Sequence, residues 1–360
     1  MKNVKKLIPI LFLTFLLSAC ADSAPAPSET SPSPSEDQTI EASDVLSADL
    51  TQETLDRLRL NVGQSNYDNS VNLKGQNPGK VCYVPETDTL FYSDNGGTYQ
   101  KNGESVIKLL DEPIFSINVA DGKLYFIRPT GEDRVGSYGD LYRMDLSSGA
   151  IDRVLEEEVA NASVYKDAIF YSKRNVIDLG DGLHGVGISC FRSDLDGSNG
   201  EKASALSFGD DLCVFQADDM IRATDLSKNE TVELAEEAEM TLRLSVYRGC
   251  VYYIRNTGGT ADTAIRIDLT DGSVTEWRAK DAYFEDYGFV DDKLCLYNLG
   301  SCFYLTEGEE LIKYDCPQSY RDIYTCNNKI YALKPGGKLC ELQFGENHGY
   351  YSVSELEIKE

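Results

Sequence analysis

Four residues near the N-terminus, Leu17-Ser18-Ala19-Cys20, have the types and order that a lipoprotein signal peptidase reads. Small side chains fit the protease, and the cysteine sulfur takes a diacylglycerol group. The upstream residues agree: Met1-Lys2-Asn3-Val4-Lys5-Lys6 is a basic leader, and Leu7 to Leu17 is apolar. That run is too short to cross a bilayer, which needs about 20 residues. Residues 1–19 therefore read as a lipoprotein signal peptide and Cys20 as the lipidated first residue of the mature chain. Cleavage after Ala19 without acylation is the alternative. Several acyl chains, at about 0.8 kcal/mol per buried methylene, hold a protein firmly on a membrane.

Other reactive side chains are sparse or badly placed. His184 and His348 are the only histidines, and a Ser–His–Asp enzyme needs a histidine beside a strained nucleophile turn. Gly187-Ile188-Ser189-Cys190-Phe191 lacks that turn's closing glycine. Gly75-Gln76-Asn77-Pro78-Gly79-Lys80-Val81 is one residue short of a phosphate loop, and Val81 stands where the metal-binding hydroxyl belongs. Asp194-Leu195-Asp196-Gly197-Ser198-Asn199 has the look of a calcium loop. It puts Asn199 where that loop needs glycine and Ala205 where it needs glutamate, so a hairpin turn is the better reading. Ser93-Asp94-Asn95-Gly96-Gly97-Thr98-Tyr99 is one residue short of a sialidase Asp-box, itself a structural turn. No metal set and no cofactor motif is expected.

Nine cysteines follow Cys20: Cys82, Cys190, Cys213, Cys250, Cys295, Cys302, Cys316, Cys326 and Cys340, with no Cys-x-x-Cys among them. Most occupy slots where a small apolar residue packs, so mostly reduced thiols are expected, although an extracytoplasmic address permits disulfides. The chain has 60 acidic and 34 basic residues, a net charge of −26. That sign argues against a nucleic-acid partner. So many carboxylates leave a glycosidase pair open without pointing to one. Trp277, Tyr283, Phe284 and Tyr287 form an aromatic cluster that could stack a sugar or grip a peptide; packing between structural repeats is the simpler role.

A repeat would position these residues. An apolar strand, a polar turn and a second strand opened by Leu, Ile or Val recur seven times, with openers at Leu90, Leu124, Ile169, Leu212, Val251, Leu294 and Ile330. A spacing of about 40 residues is that of a four-stranded propeller blade. A second recurring element ends in a turn, as in Arg143-Met144-Asp145-Leu146-Ser147-Ser148-Gly149 and Arg266-Ile267-Asp268-Leu269-Thr270-Asp271-Gly272. Gly, Asn and Asp supply the positive φ of tight hairpins, and the flanks alternate with a strand period. Two hairpins per unit make a four-stranded antiparallel sheet that cannot bury both faces alone; a closed ring solves this. The fold class expected is all-β, a seven-bladed β-propeller, with six or eight blades as alternatives and a β-sandwich as the competing architecture.

Leu90-Phe91-Tyr92-Ser93-Asp94 resembles the Leu-Tyr-Trp-Thr-Asp strand of low-density-lipoprotein-receptor-type propellers. Asp121-Gly122-Lys123-Leu124-Tyr125-Phe126 and Leu141-Tyr142-Arg143-Met144-Asp145-Leu146 are similar to segments of an uncharacterised family of bacterial lipoprotein propellers, as is the lead-in Gly63…Asn72…Gly75-Gln76-Asn77-Pro78-Gly79. The resemblance covers roughly residues 60–355. It implies blade construction and carries no catalytic residue.

The expected organisation is a signal peptide over 1–19, a Ser/Pro-rich tether over 20–48, a short helical lead-in over 49–62 with Leu50, Leu55 and Leu58 on one face, and the propeller over 63–360. Ring closure is expected to pair a strand from 63–80 with the C-terminal sheet near Tyr350–Leu356. The address expected is the outer face of the cytoplasmic membrane, occupied by a lipid-anchored monomer, in a Gram-positive envelope, with a Gram-negative envelope as the alternative. The function expected is binding of a protein, peptide or glycan; an envelope enzyme using funnel carboxylates is the alternative.

Overall fold

The computed structural model describes residues 71–72, 79–133, 136–165, 167–180, 183–203, 208–209, 212–226, 228, 230–279, 282–298, 302–315, 320, 323–334, 336–344 and 351–355. Cys20, the tether, the 49–62 lead-in, most of the Gly75–Val81 segment, Cys316 and His348 lie outside them.

Every one of the seven openers sits in a second strand, b, and is buried. The inner strand, a, and strand b of successive blades are Val81–Val84 with Thr89–Asp94, then Phe115–Ala120 with Lys123–Asp133. Blade three takes the second half of Ile151–Tyr165 with Ala168–Gly180, and blade four Phe208–Gly209 with Leu212–Ala217. Blades five to seven use Met240–Tyr247 with Cys250–Thr257, Phe284–Val290 with Lys293–Asn298, and Ile323–Cys326 with Lys329–Leu333. Strands c and d are Gly97–Asn102 and Ser105–Leu110, then Gly136–Asp145 and the first half of Ile151–Tyr165. They continue as Leu183–Asp194 and Glu201–Lys202, and as Met220–Asp225 and Glu230–Glu236. Thr260–Asp268 and Val274–Arg278, Cys302–Glu307 and Glu310–Asp315, and Leu339–Phe344 and Tyr351–Glu355 complete the set. In blade four the b–c link is the two-residue turn Asp218-Asp219, with φ of 50° and 61°, a primed turn that acidic side chains tolerate.

Seven blades are nonetheless gathered into six hydrogen-bonded sheets among the described residues. Ile151–Tyr165 is both the outer strand of blade two and the inner strand of blade three, so no separate crossover loop divides these blades. At Val159 it pairs with Gly139 on one side and Lys173 on the other. Register shifts at Gly139/Leu141, Leu141/Tyr142 and Ser172/Lys173 let the strand turn from one blade into the next.

The core lies between blades. Val81, Leu90 and Tyr92 of blade one pack on Tyr324, Tyr331 and Leu333 of blade seven, which closes the ring through side chains. Closure by the backbone differs from the expectation. Val71–Asn72 joins the C-terminal sheet, but at its inner edge: Val71 lies opposite Thr325 and Asn72 opposite Tyr324. The expected site near Tyr350–Leu356 is the opposite edge, where Tyr351–Glu355 pairs with Leu339–Phe344. The chain supplies its own fourth strand there, so the N-terminal strand adds where an edge remains open. The b–c turns also join, Asn95 N–H donating to the Gly337 carbonyl at 3.1 Å.

The eight described cysteines are reduced, and all but half-buried Cys190 are buried. Burial pushes the Cys82 thiol up to about 12 and Cys326 upward as well. The thiolate reacts, not the thiol, so native protein should react slowly with a thiol reagent. Denatured, unreduced mature protein should take up several equivalents; uptake of one or fewer would mean disulfides and overturn this.

Candidate functional site

The ring has two rims. One carries the a–b and c–d turns; the other carries the b–c turns and the crossovers from each strand d to the next strand a. On the turn rim, the repeated Asp residues are spent on the hairpins themselves. Asp145 Oδ1 accepts from the N–H groups of Ser147 at 3.0 Å and Ser148 at 2.9 Å and from both hydroxyls. These bonds hold its carboxyl at about 2. Ser198 and Ser273 lower Asp196 and Asp271 in the same way. Gly197 N–H donates to the Asp194 carbonyl at 2.9 Å, so the segment Asp194–Asn199 is the c–d turn of blade three. Among the described residues no group of three or more His, Cys, Asp and Glu is placed to hold a metal ion.

The crossover rim is different in two places. Strand b has 11 residues in blade two and 13 in blade three, against 5 to 8 in the other blades. At about 3.3 Å per residue, the excess lifts these b–c hairpins roughly 15–25 Å beyond the rim. The hairpins belong to one sheet because blades two and three share a strand. They are also tied by side chains: the Arg174 guanidinium lies over the Tyr138 ring, 4.4 Å from its centroid. Arg128 covers Tyr142 at 4.6 Å and pairs with Glu112 at 2.6 Å, and Lys173 lies 4.5 Å above Phe191. The result is a β-wall standing on one side of the ring, stiffened by cation–π contacts. The backbone of His184 lies in this wall, opposite Asp178. Ser189 lies within strand c, where its hydroxyl accepts from Asn175 at 2.7 Å, so it occupies no nucleophile turn.

The second place is the rim of blades four to six, where carboxylates and arginines interlock. Glu237, in the crossover from blade four to five, is buried. It takes Arg255 Nε at 3.0 Å and the Tyr253 hydroxyl at 2.9 Å. Arg255 also reaches Glu276 at 3.2 Å, and Arg278 pairs with Asp262 at 3.0 Å. Gln216 clamps the crossover: its amide donates to the carbonyls of Glu237 and Glu239 at 2.8 and 2.7 Å and accepts from Thr241 N–H at 3.0 Å.

Nearer the axis, Arg243 adopts φ 56° at a bulge in the inner strand of blade five. Its Nε contacts Asp286 of blade six at 3.1 Å. Tyr287 holds the bulge, its hydroxyl shared between the carbonyls of Arg243 and of Tyr252, the latter at 2.9 Å. Burial pushes the Asp286 carboxyl up to about 7, against the pull of Arg243 and the Tyr287 N–H. An unfolded aspartate titrates near about 4. Between that value and about 7 the folded chain keeps a proton that the unfolded chain has lost, so stability falls as pH rises through this window. Asp286→Asn should flatten the dependence of unfolding free energy on pH there; parallel wild-type and variant curves would overturn the assignment.

None of these acid–base partners was visible as a motif. Glu237 and Arg255 are 18 residues apart, and Arg243 and Asp286 are 43 apart; only the ring brings them together. The aromatic cluster has the simpler of its two expected roles. Trp277, Phe284 and Tyr287 are buried between blades five and six, Tyr283 packs against them, and Trp277 Nε1 donates to the Gly308 carbonyl at 2.8 Å.

No family model matches the chain, and no curated protein matches it. Solved structures do. KlHsv2 of Kluyveromyces lactis, with loop 6CD replaced by a Gly-Ser linker, is 14% identical over 78% of this chain and 100% of its own, with a TM-score of 0.52. Hsv2 of Kluyvelomyces marxianus is 12% identical over 78% of this chain and 97% of its own, with a TM-score of 0.50. KlAtg21, in complex with the coiled coil of AgAtg16, is 10% identical over 78% of this chain and 98% of its own, with a TM-score of 0.52. At such identities the likeness is one of fold: the chain is a β-propeller.

Proposed function

We propose that this chain is a recognition module, anchored by lipid at Cys20 to the outer face of the cytoplasmic membrane, that binds a protein, peptide or glycan through its crossover rim. The observation that carries the recognition reading is the β-wall of blades two and three. A pair of hairpins extended past the rim and fixed to one another adds nothing to ring closure, yet presents ordered backbone and side chains to a partner. Rigid presentation lowers the ordering cost of binding. The KlAtg21 complex supports the reading to the extent that a ring of this fold can hold a polypeptide partner.

The anchor rests on Leu17-Ser18-Ala19-Cys20 and on the resemblance to bacterial lipoprotein propellers and to low-density-lipoprotein-receptor-type propellers. The Ser/Pro-rich stretch over 20–48 serves as a tether that lifts a monomeric ring off a Gram-positive membrane. The net charge of −26 keeps it soluble and away from nucleic acid. Metabolic labelling with a fatty-acid analogue should tag the wild type and not Cys20→Ala; equal labelling would remove the anchor.

One observation favours a second reading, catalysis. Asp286, with its carboxyl near about 7 and an arginine beside it, has the poise of a general acid. Purified mature protein should show no turnover of glycan, peptide or ester substrates. Turnover abolished by Asp286→Asn would promote the enzyme and sink the binding reading.

A further inference from the structure

Among the described residues, Ser116 and Arg243 are the non-glycines that adopt positive φ inside a strand, at 52° and 56°; the others of this kind lie in turns. Both sit at bulges in an inner strand, Ser116 in blade two and Arg243 in blade five. Such backbone persists only where its surroundings hold it, and it gathers at ligand sites. Ser116 has a structural use. Its hydroxyl donates to Asn161 Oδ1 at 3.0 Å and accepts from Ala162 N–H at 3.1 Å, which stitches blade two to blade three and occupies the hydroxyl fully.

Arg243 is only partly used. Its Nε donates to the Glu285 carbonyl at 3.3 Å and faces the Asp286 carboxyl at 3.1 Å, while Tyr287 holds the Arg243 carbonyl beneath. Among the described residues Nη1 and Nη2 donate no hydrogen bond. The Arg243 side chain is 33% exposed, although that of Asp286 beside it is only 5% exposed. A guanidinium pinned at Nε presents its Nη edge, a flat fork of N–H groups, to whatever enters the centre of the ring from the crossover rim. Burial pushes the Asp286 carboxyl up to about 7, and the other charged side chain acting on it is Glu285. On the acid side of that value the guanidinium charge is not cancelled by its partner.

The surroundings select the ligand. A planar fork matches a carboxylate or a phosphate. With Glu285 and Asp286 at hand, and Arg243 the one cation acting on Asp286, a singly charged carboxylate suits the local field and a phosphate dianion does not. The centre also admits extended backbone: Val71–Asn72 occupies the inner edge of blade seven and lies against Phe284–Val290, the strand that carries Asp286. We infer that Arg243 is the anion anchor of a ligand site at the crossover end of the ring's centre, and that the group it takes is the C-terminal carboxylate of an extended peptide. The assignment rests on the recognition reading and names the chemistry of one contact within it.

Phenylglyoxal, which adds to unoccupied guanidinium Nη groups, tests the site in purified full-length protein on the acid side of neutrality, with peptide mapping by mass spectrometry to follow each arginine. Arg243 should be modified, and N-acetylglycine, a chain end without a side chain, should slow its modification several-fold at constant ionic strength. N-acetylglycinamide, which lacks the charge, should not. Arg278, 69% exposed and paired with Asp262, is the internal control and should react at one rate throughout. An unreactive Arg243, or one that N-acetylglycine leaves as reactive as before, overturns the site. Equal protection by inorganic phosphate, or protection by glucuronate alone, overturns the assignment to a peptide end. Either failure leaves the recognition reading standing, because the turnover screen decides that reading on its own.

Discussion

Gly139→Ala is expected to destabilise the protein by about 3 kcal/mol, at the upper end for overpacking. Gly139 pairs with Pro129 in the hairpin of blade two and with Val159 in the shared strand. A Cβ there would lie 1.9 Å from the Arg128 carbonyl oxygen, 2.8 Å from its carbon and 3.0 Å from Thr130 N. All three are backbone atoms, so no side-chain rotation relieves the clash. The strands must part where blades two and three become one sheet, and the base of the β-wall parts with them. Gly200→Ala is the control, because its Cβ would meet only the Tyr171 hydroxyl, at an ordinary 3.4 Å. Denaturant unfolding of both variants measures the effect. A Gly139→Ala midpoint within error of Gly200→Ala would show that the joint yields freely.

Arg255→Ala is expected to cost about 3 to 5 kcal/mol, the range for removing one partner of a buried ion pair. The Glu237 side chain is 4% exposed and that of Arg255 15%. With Arg255 gone, the Glu237 carboxylate remains in the crossover between blades four and five with the Tyr253 hydroxyl as its remaining side-chain donor among the bonds described above. Adding Glu237→Gln to Arg255→Ala removes the stranded charge and should restore part of the loss. A double variant no more stable than Arg255→Ala would show that packing of the arginine stem, not charge, carries the effect. Gln216, which holds the same crossover through two carbonyls, predicts that both substitutions are felt in the docking of blade five on blade four.

The two sites differ in how far sequence could have revealed them. The turn rim is local chemistry: Asp145 and the N–H groups it accepts lie within three residues, so the repeat of Asp, Ser and Gly announces the hairpin. The long hairpins leave a weaker trace. An expected strand length of about five or six residues hides the fact that Ala168–Gly180 runs for 13. The rim network leaves none, since its members come from six strands and a crossover of three successive blades.

What the sequence by itself determined is the repeating unit. Seven openers, each a buried aliphatic residue at the start of a second strand, and turns rich in Gly, Asn and Asp specify hairpins through contacts only a few residues long. Ring architecture followed, because a sheet apolar on both faces has few ways to cover them. The tertiary structure alone decided three things. Blades two and three share a strand because the bulges around Val159 allow one chain to pair on both sides. The N-terminal strand closes the ring at the inner edge because the outer edge is filled by Tyr351–Glu355. Arg243 meets Asp286, and Arg255 meets Glu237, because blade packing brings together residues that no local pattern links. Hairpins are set by short-range propensity; edges, joints and rim contacts are set by which surfaces remain uncovered once the hairpins have packed.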